Sequence, residues 1–216
     1  FSFINTFELF INLVSIIDRY DNFMPMQSCF NQRQTFTPDA LLSSHKSKHN
    51  TDIRLACVED GLDNTGFRKI SAYIKSIHAN TKVTFVPTAN HRSLIGVLME
   101  KGSGNLGNDD IHKVAQFMAE GDIAAFSSMT QSSSTVYKII ADIRRINPRS
   151  YIIWGGIHPI IQPEDAIKHA DAVCTGEGEF AFKTFLDLFK NGKDYTTAPS
   201  FWFRKDNNII KNRNLP

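Results

Sequence analysis

Cysteine is scarce in this chain: three residues in 216, at Cys29, Cys57 and Cys174, and never in a CxxC or CxxxC pair. That spacing gives no local thiolate frame for zinc or an iron–sulfur cluster. An odd, sparse count fits a reducing cytoplasm better than a disulfide scaffold. An excess of charge of one sign is also missing. The formal net charge is +2, too weak a field to recruit nucleic acid or anionic lipid. The one basic cluster, His45-Lys46-Ser47-Lys48-His49, has no aromatic interleaving, so no nucleic-acid partner is expected. Long apolar runs are absent too. Phe1 to Ile17 is apolar but broken by Asn5, Glu8 and Asn12, short of the roughly 20 residues of a stable membrane span. It lacks the basic flank and cleavage site of a signal peptide, and reads as a packing helix ahead of the domain. There is no GxSxG elbow, no Walker loop and no internal repeat, which removes the footing for hydrolase and nucleotide-triphosphatase readings.

What is present is an ordinary soluble composition, 42% hydrophobic and 21% charged, in a length that suits one α/β domain with an extension. Phe1 in place of Met reads as a fragment or a processed form. Residues 1–50 read as an N-terminal extension ending in a polar linker. From residue 51 strands and helices alternate. Ile53 to Val58, Val83 to Val86, Asp122 to Ser127, Tyr151 to Trp154 and Asp171 to Cys174 are short apolar runs of strand length. Phe67, Ile70, Tyr73, Ile74 and Ile77 recur at helical spacing, as do Val136, Ile139, Ile140, Ile143 and Ile146, with Asn147-Pro148 as a stop. Further helices are expected over about 109–119, from Pro163-Glu164, and up to Leu188. This alternation predicts an α/β fold with a doubly wound, five-stranded parallel sheet, Rossmann-like and flavodoxin-like in order. Ser200 to Phe203 and Asn208 to Lys211 read as a C-terminal β-hairpin. The expected divisions are 1–50, 51–196 for the α/β domain, and 197–216 for the hairpin and an onward connection.

Several suggestive patterns fail on context. Gly102 to Gly107 spells GxGxxG, but no strand precedes it and Asp109-Asp110 follow where pyrophosphate would lie, so it reads as a loop. His45 and His49 have helical metal-pair spacing within a solvated linker, and His91 and His112 stand alone.

Two glycine turns about twenty residues apart carry more. Gly155-Gly156-Ile157-His158-Pro159 and Gly176-Glu177-Gly178-Glu179 each follow a buried-strand run, which puts a ligand site at the carboxyl edge of the sheet. Ser127-Ser128-Met129-Thr130 closes the third strand with small hydroxyl residues. With Gly155 and Gly156 it leaves minimal side chains on adjacent strand ends, a slot able to take a bulky group.

The string Gly66-Phe67-Arg68-Lys69, Ser128-Met129-Thr130, GGIHP from Gly155 and GEGE from Gly176 resembles the N-terminal cobalamin-binding domain of B12-binding radical SAM proteins, over about residues 52–212. The resemblance implies that Ser127 to Thr130 with Gly155 and Gly156 line the dimethylbenzimidazole tail. It puts the loop of Gly61, Asp63, Asn64, Thr65, Gly66 and Phe67 under the corrin, and Gly176, Glu177, Gly178 and Glu179 at the rim. His158, before Pro159, either touches the cofactor or caps its loop. The DxHxxG motif that supplies a lower-axial histidine is not kept: Asp63 stands at the histidine position and Gly61 at the aspartate position. Cobalamin is therefore expected base-off, without a protein histidine. The CxxxCxxC motif for a [4Fe–4S] cluster is absent, so the cluster and S-adenosylmethionine would belong to a radical SAM domain in cis, in a longer parent. No catalytic residue and no metal ligand is assigned within this chain. The readings left open beside this one are a non-catalytic cobalamin sensor or carrier, and a flavodoxin-like nucleotide-binding domain.

Overall fold

Alternating apolar segments of the chain pair into one mixed sheet with helices on both faces. The structure, a computed structural model, describes residues 51–59, 64–88, 106–206 and 208–215. The readings at residues 1–50, at Gly61 and Asp63, at His91, and across most of the GxGxxG loop lie outside the described residues. The elements are β1 (Ile53–Val58), α1 (Thr65–Ile77), β2 (Thr81–Val86), α2 (Asn108–Ala119), β3 (Ile123–Ser128), α3 (Ser133–Ile146), β4 (Tyr151–Gly155), α4 (Ile157–Ile161), α5 (Pro163–Ala166), β5 (Ala172–Cys174), α6 (Gly178–Lys190), β6 (Phe201–Lys205) and β7 (Asn208–Lys211). No described helix is long and apolar enough to cross a membrane.

The strand order is β2-β1-β3-β4-β5-β6-β7, parallel from β2 through β5 and antiparallel for β6 and β7. The α/β class and the order of the first five strands follow the sequence expectation, but the sheet has seven strands, not five. The hairpin supplies the other two. β5 is only three residues long, and Ala172, Val173 and Cys174 pair with Phe203, Trp202 and Phe201. An apolar hairpin beside an unpaired strand edge completes the ladder instead of standing apart. All six residues of β1 are buried, as expected for a parallel strand covered on both faces.

Strand alternation sends side chains to two cores. Leu55, Ala125 and Ile153 lie in one register row across β1, β3 and β4. They pack on the face covered by α1 and α6, with Phe67, Ile74, Phe182 and Phe185. Ala56, Phe126 and Trp154 point the other way, toward Ile111 and Met118 of α2 and Ile139 and Ile143 of α3. Asn64 starts α1 as its N-cap, accepting from the Phe67 N–H at 2.8 Å. At the amino end of the sheet, the buried Arg54 is held by Asp52 at 2.7 Å, Glu120 at 3.0 Å and the Phe117 carbonyl at 3.0 Å. That end carries ion pairs, and the carboxyl end is left to the turns.

Candidate ligand site at the carboxyl edge of the sheet

A cavity of about 420 Å³ opens at the carboxyl edge between α1 and α6, a size that suits a drug-sized ligand or one end of a larger one. Its floor is the row Leu55, Ala125 and Ile153, and Phe67, Ile70, Phe182 and Phe201 supply apolar walls. Polar groups come from the strand ends and turns above: Glu59, Asn64, Thr65, Ser127 and Glu177. Met129, Ile157 and Ile160 also line it and remain two-fifths or more exposed, which gives the mouth an apolar lip.

The glycines differ in what they permit. Gly156 has φ +92°, and a Cβ there would lie 2.7 Å from both the backbone N and O of Ser128. The turn after β4 therefore needs glycine for its conformation and for its approach to β3. A Cβ at Gly155 would meet nothing closer than Cys174 Cβ at 3.7 Å, so Gly155 keeps the space above the floor open. At Gly66 the nearest neighbour would be Asn64 Oδ1 at 3.8 Å, which leaves the start of α1 bare toward the cavity. Gly178 lets the start of α6 close on α1, because its Cβ would fall 2.7 Å from Ile70 Cδ1. Gly176 sits against Ser200 Oγ, 3.0 Å from where its Cβ would be.

The residues singled out from sequence are thereby divided. Asn64, Thr65, Gly66, Phe67, Ser127, Met129, Gly155, Gly156, Gly176, Glu177 and Gly178 line the cavity. Ser128, Thr130, His158, Pro159 and Glu179 do not. Ser128 is fully buried on the opposite face, where its Oγ accepts from Trp154 Nε1–H at 3.0 Å. Thr130 is exposed. Glu179 stands in the first turn of α6, paired with Lys69 at 3.0 Å. The run read as a turn around His158-Pro159 is the short helix α4, with proline in its first turn, where its missing N–H costs nothing.

His158 is buried beneath that helix, its ring 4.9 Å from that of Trp154. Tyr137 donates its hydroxyl hydrogen to Asp165, so its oxygen accepts from His158 Nε2–H at 3.1 Å. His158 Nδ1 is then the bare ring nitrogen, and it has no hydrogen-bond partner among the described residues. Burial lowers the His158 pKa below the ordinary imidazole value despite the nearby Asp165. This cluster fixes the turn from behind.

Leu55, Ala125, Ile153, Phe182 and Phe201 were not singled out from sequence as site residues. Alternation contained a signal for two of them: Ala125 and Ile153 lie two positions before Ser127 and Gly155 on the same strand faces. Phe201 had none, because its place depends on the hairpin joining the sheet. No histidine lines the cavity among the described residues. Burial pushes the Cys57 thiol up to about 12 and the cavity-lining Cys174 thiol up to about 11, so both stay protonated and are poor metal ligands. Burial also raises the Glu59 carboxyl, partly offset by the hydrogen bond from Asn64.

Residues 105–186 match the family model of the B12 binding domain. The chain is similar to that family over this segment. It is 26% identical over 106 residues to an uncharacterised methyltransferase of Pyrococcus horikoshii, an overlap of 48% of this chain and 23% of that protein. It is also 26% identical over 86 residues to the bacteriochlorophyllide d C-8(2)-methyltransferase of Chlorobaculum tepidum, covering 40% of this chain and 19% of that one. In fold, the chain resembles the cobalamin-dependent S-adenosylmethionine radical enzyme OxsB, with a TM-score of 0.53 at 14% identity over 76% of this chain and 22% of that one. It likewise resembles the radical S-adenosylmethionine methyltransferase TsrM of Kitasatospora setae, with a TM-score of 0.55 at 11% identity over 77% and 29%. The chain spans less than a third of the length of each of these relatives.

Proposed function

We propose that this domain binds cobalamin with the nucleotide tail in the cavity between α1 and α6 and the corrin outside, across the carboxyl edge of the sheet. The observation that carries this reading is the cavity itself. It lies at the strand ends, deep and apolar at the floor, and is kept open by Gly155 and Ser127, both within the family-matched segment. The tail's aromatic base would rest among Leu55, Ala125, Ile153 and the phenylalanine rings. Its ribose and phosphate would meet Ser127, Asn64 and Thr65 nearer the mouth, with Gly66 leaving room for the corrin face.

The cofactor binds base-off and without a protein histidine in this reading. In support, an aspartate, Asp63, stands at the sequence position of the lower-axial histidine. Cobalt supplies the methyl-transfer or radical chemistry when the cofactor is bound, and the protein supplies position and environment. We further propose that residues 51–196 form the binding unit together with the hairpin docked on β5, and that the parent is a cobalamin-dependent radical SAM enzyme, with its [4Fe–4S] cluster and S-adenosylmethionine in a domain in cis. Two of the relatives are named as radical S-adenosylmethionine enzymes, and three are named methyltransferases. A CxxxCxxC motif downstream in the parent's reading frame would bear this out, and a reading frame without one would sink it.

The binding reading is tested by mixing the purified domain with hydroxocobalamin, desalting, and recording the visible spectrum. Corrin absorbance should be retained at close to one equivalent; no retention overturns the reading. Gly155→Leu fills the slot without demanding a forbidden backbone angle, and should lower retention at least tenfold with the thermal midpoint nearly unchanged. Gly156 is a poorer probe, since any side chain there strains the backbone. Unaltered retention in a folded Gly155→Leu protein would show that the tail lies elsewhere.

A further inference from the structure

We propose that the cavity floor makes this domain selective for corrinoids whose tail ends in an apolar base, a benzimidazole or a phenol, over those ending in a purine. The inference rests on the reading above that the tail enters the cavity, and it adds which tails are accepted.

The distribution of polarity in the cavity is the basis. Leu55, Ala125 and Ile153 form one register row across three adjacent parallel strands, so the floor is side-chain hydrocarbon. The backbone N–H and C=O groups beneath it are engaged in the ladder. Phe182 of α6 adds a ring, and Phe201 walls the next layer up, level with Cys174. In that layer Cys174 Sγ directs its hydrogen at the Gly176 carbonyl at 3.4 Å. Of the hydroxyl side chains that line the cavity, Thr65 opens α1 and Ser127 stands two residues further along β3 than Ala125, about 6.6 Å at the usual strand rise.

A benzimidazole presents methyl and ring C–H groups to such a floor, and a phenolic tail presents little else. Adenine presents an exocyclic amine and ring nitrogens on its leading edges. Each gives up its hydrogen bonds to water on entry and finds no replacement. One such unmet hydrogen bond is worth about tenfold or more in affinity.

The purified domain is titrated with four corrinoids, followed by the visible spectrum and by equilibrium dialysis: cobalamin, its adenine-tailed analogue, its p-cresol-tailed analogue, and tailless cobinamide. The cresol tail cannot coordinate its own cobalt, so comparison with it separates fit to the floor from the cost of detaching a coordinated base. Cresol-tailed corrinoid should bind at least tenfold more tightly than adenine-tailed, and cobinamide more weakly than cobalamin. Ala125→Ser, which puts a hydroxyl into the floor, should narrow the cresol-to-adenine ratio several-fold.

Adenine-tailed corrinoid binding as tightly as cresol-tailed, with cobinamide weak, would overturn the selectivity and leave the tail reading standing. Cobinamide binding as tightly as cobalamin would overturn both. Retention of none of the four would overturn cobalamin binding itself. An unchanged ratio in a folded Ala125→Ser protein would remove the floor as its source.

Discussion

The two sides of the turn after β4 are built from neighbouring residues and have opposite characters. On the α1/α6 side, Gly155 and Ser127 leave space over an apolar floor. On the α2/α3 side, Trp154 and His158 pack against Tyr137, and Ser128 bonds Trp154. One residue's shift along a strand moves a side chain from one environment to the other. A ligand motif in a strand-end turn is thus two half-motifs, one facing the ligand and one holding the first half still.

The largest effect should come from the filled side. Trp154 is fully buried, stacks edge-on with Tyr137 at 5.2 Å and bonds Ser128. Trp154→Ala should therefore cost about 3–5 kcal/mol, a fall of roughly 10 °C or more in thermal midpoint for a domain of this size. Calorimetry or urea unfolding measures it. A loss below about 1 kcal/mol would mean the two sides are not mechanically distinct.

Much of this arrangement was legible in the sequence. Periodicity placed the alternating strands and helices, and the glycine pairs pointed to the carboxyl edge. Two things escaped. The hairpin was visible as a hairpin, but its docking depends on β5 being short and unpaired on one side, a tertiary fact. It is what brings Phe201 to the cavity wall. The second was the division of the motif. GGIHP reads as one turn, yet Pro159 is accommodated in a first helical turn, and that helix rotates His158 under the sheet edge, away from the cavity. Ser127 and Ser128 were separable in principle by alternation, but only once the face carrying the cavity was known.

The serine pair turns that division into a measurement. Ser128→Ala leaves the buried Trp154 N–H without its acceptor, which should cost about 1–3 kcal/mol of stability and leave hydroxocobalamin retention little changed. Ser127→Ala removes a half-exposed hydroxyl, with a stability change within about 0.5 kcal/mol, but should weaken retention a few-fold. Urea unfolding and spectral titration on the same two proteins give both numbers. If both variants changed the same property, the boundary drawn between the two faces would be misplaced.

The smallest effect is a slope. Burial holds the His158 pKa below the ordinary imidazole value, and His169, whose ring lies 4.2 Å from that of Tyr137, is lowered by the same cause. The groups facing His158 are the Tyr137 hydroxyl and the Asp165 carboxylate, with Lys168 bound to that carboxylate at 3.4 Å. Asp165 favours the charged imidazole, yet desolvation outweighs it. As pH falls through about 6.5 the unfolded chain takes up protons that the folded protein still refuses. The unfolded state then binds more protons, and stability drops until the folded imidazole titrates as well. For one proton the slope is at most about 1.4 kcal/mol per pH unit. It should appear below pH 6.5, and the opposite slope from Glu59, whose carboxyl burial raises, is common to the protein and the variant below and cancels in their difference. His158→Phe keeps a ring against Trp154 and removes the titrating group, so it should flatten part of that slope, with His169 supplying the remainder. Urea midpoints at half-unit steps from pH 7 to pH 5 would show this. An identical slope in the variant would mean that His158 takes up its proton as easily folded as unfolded, and that the filled side of the turn is wetter than its packing implies.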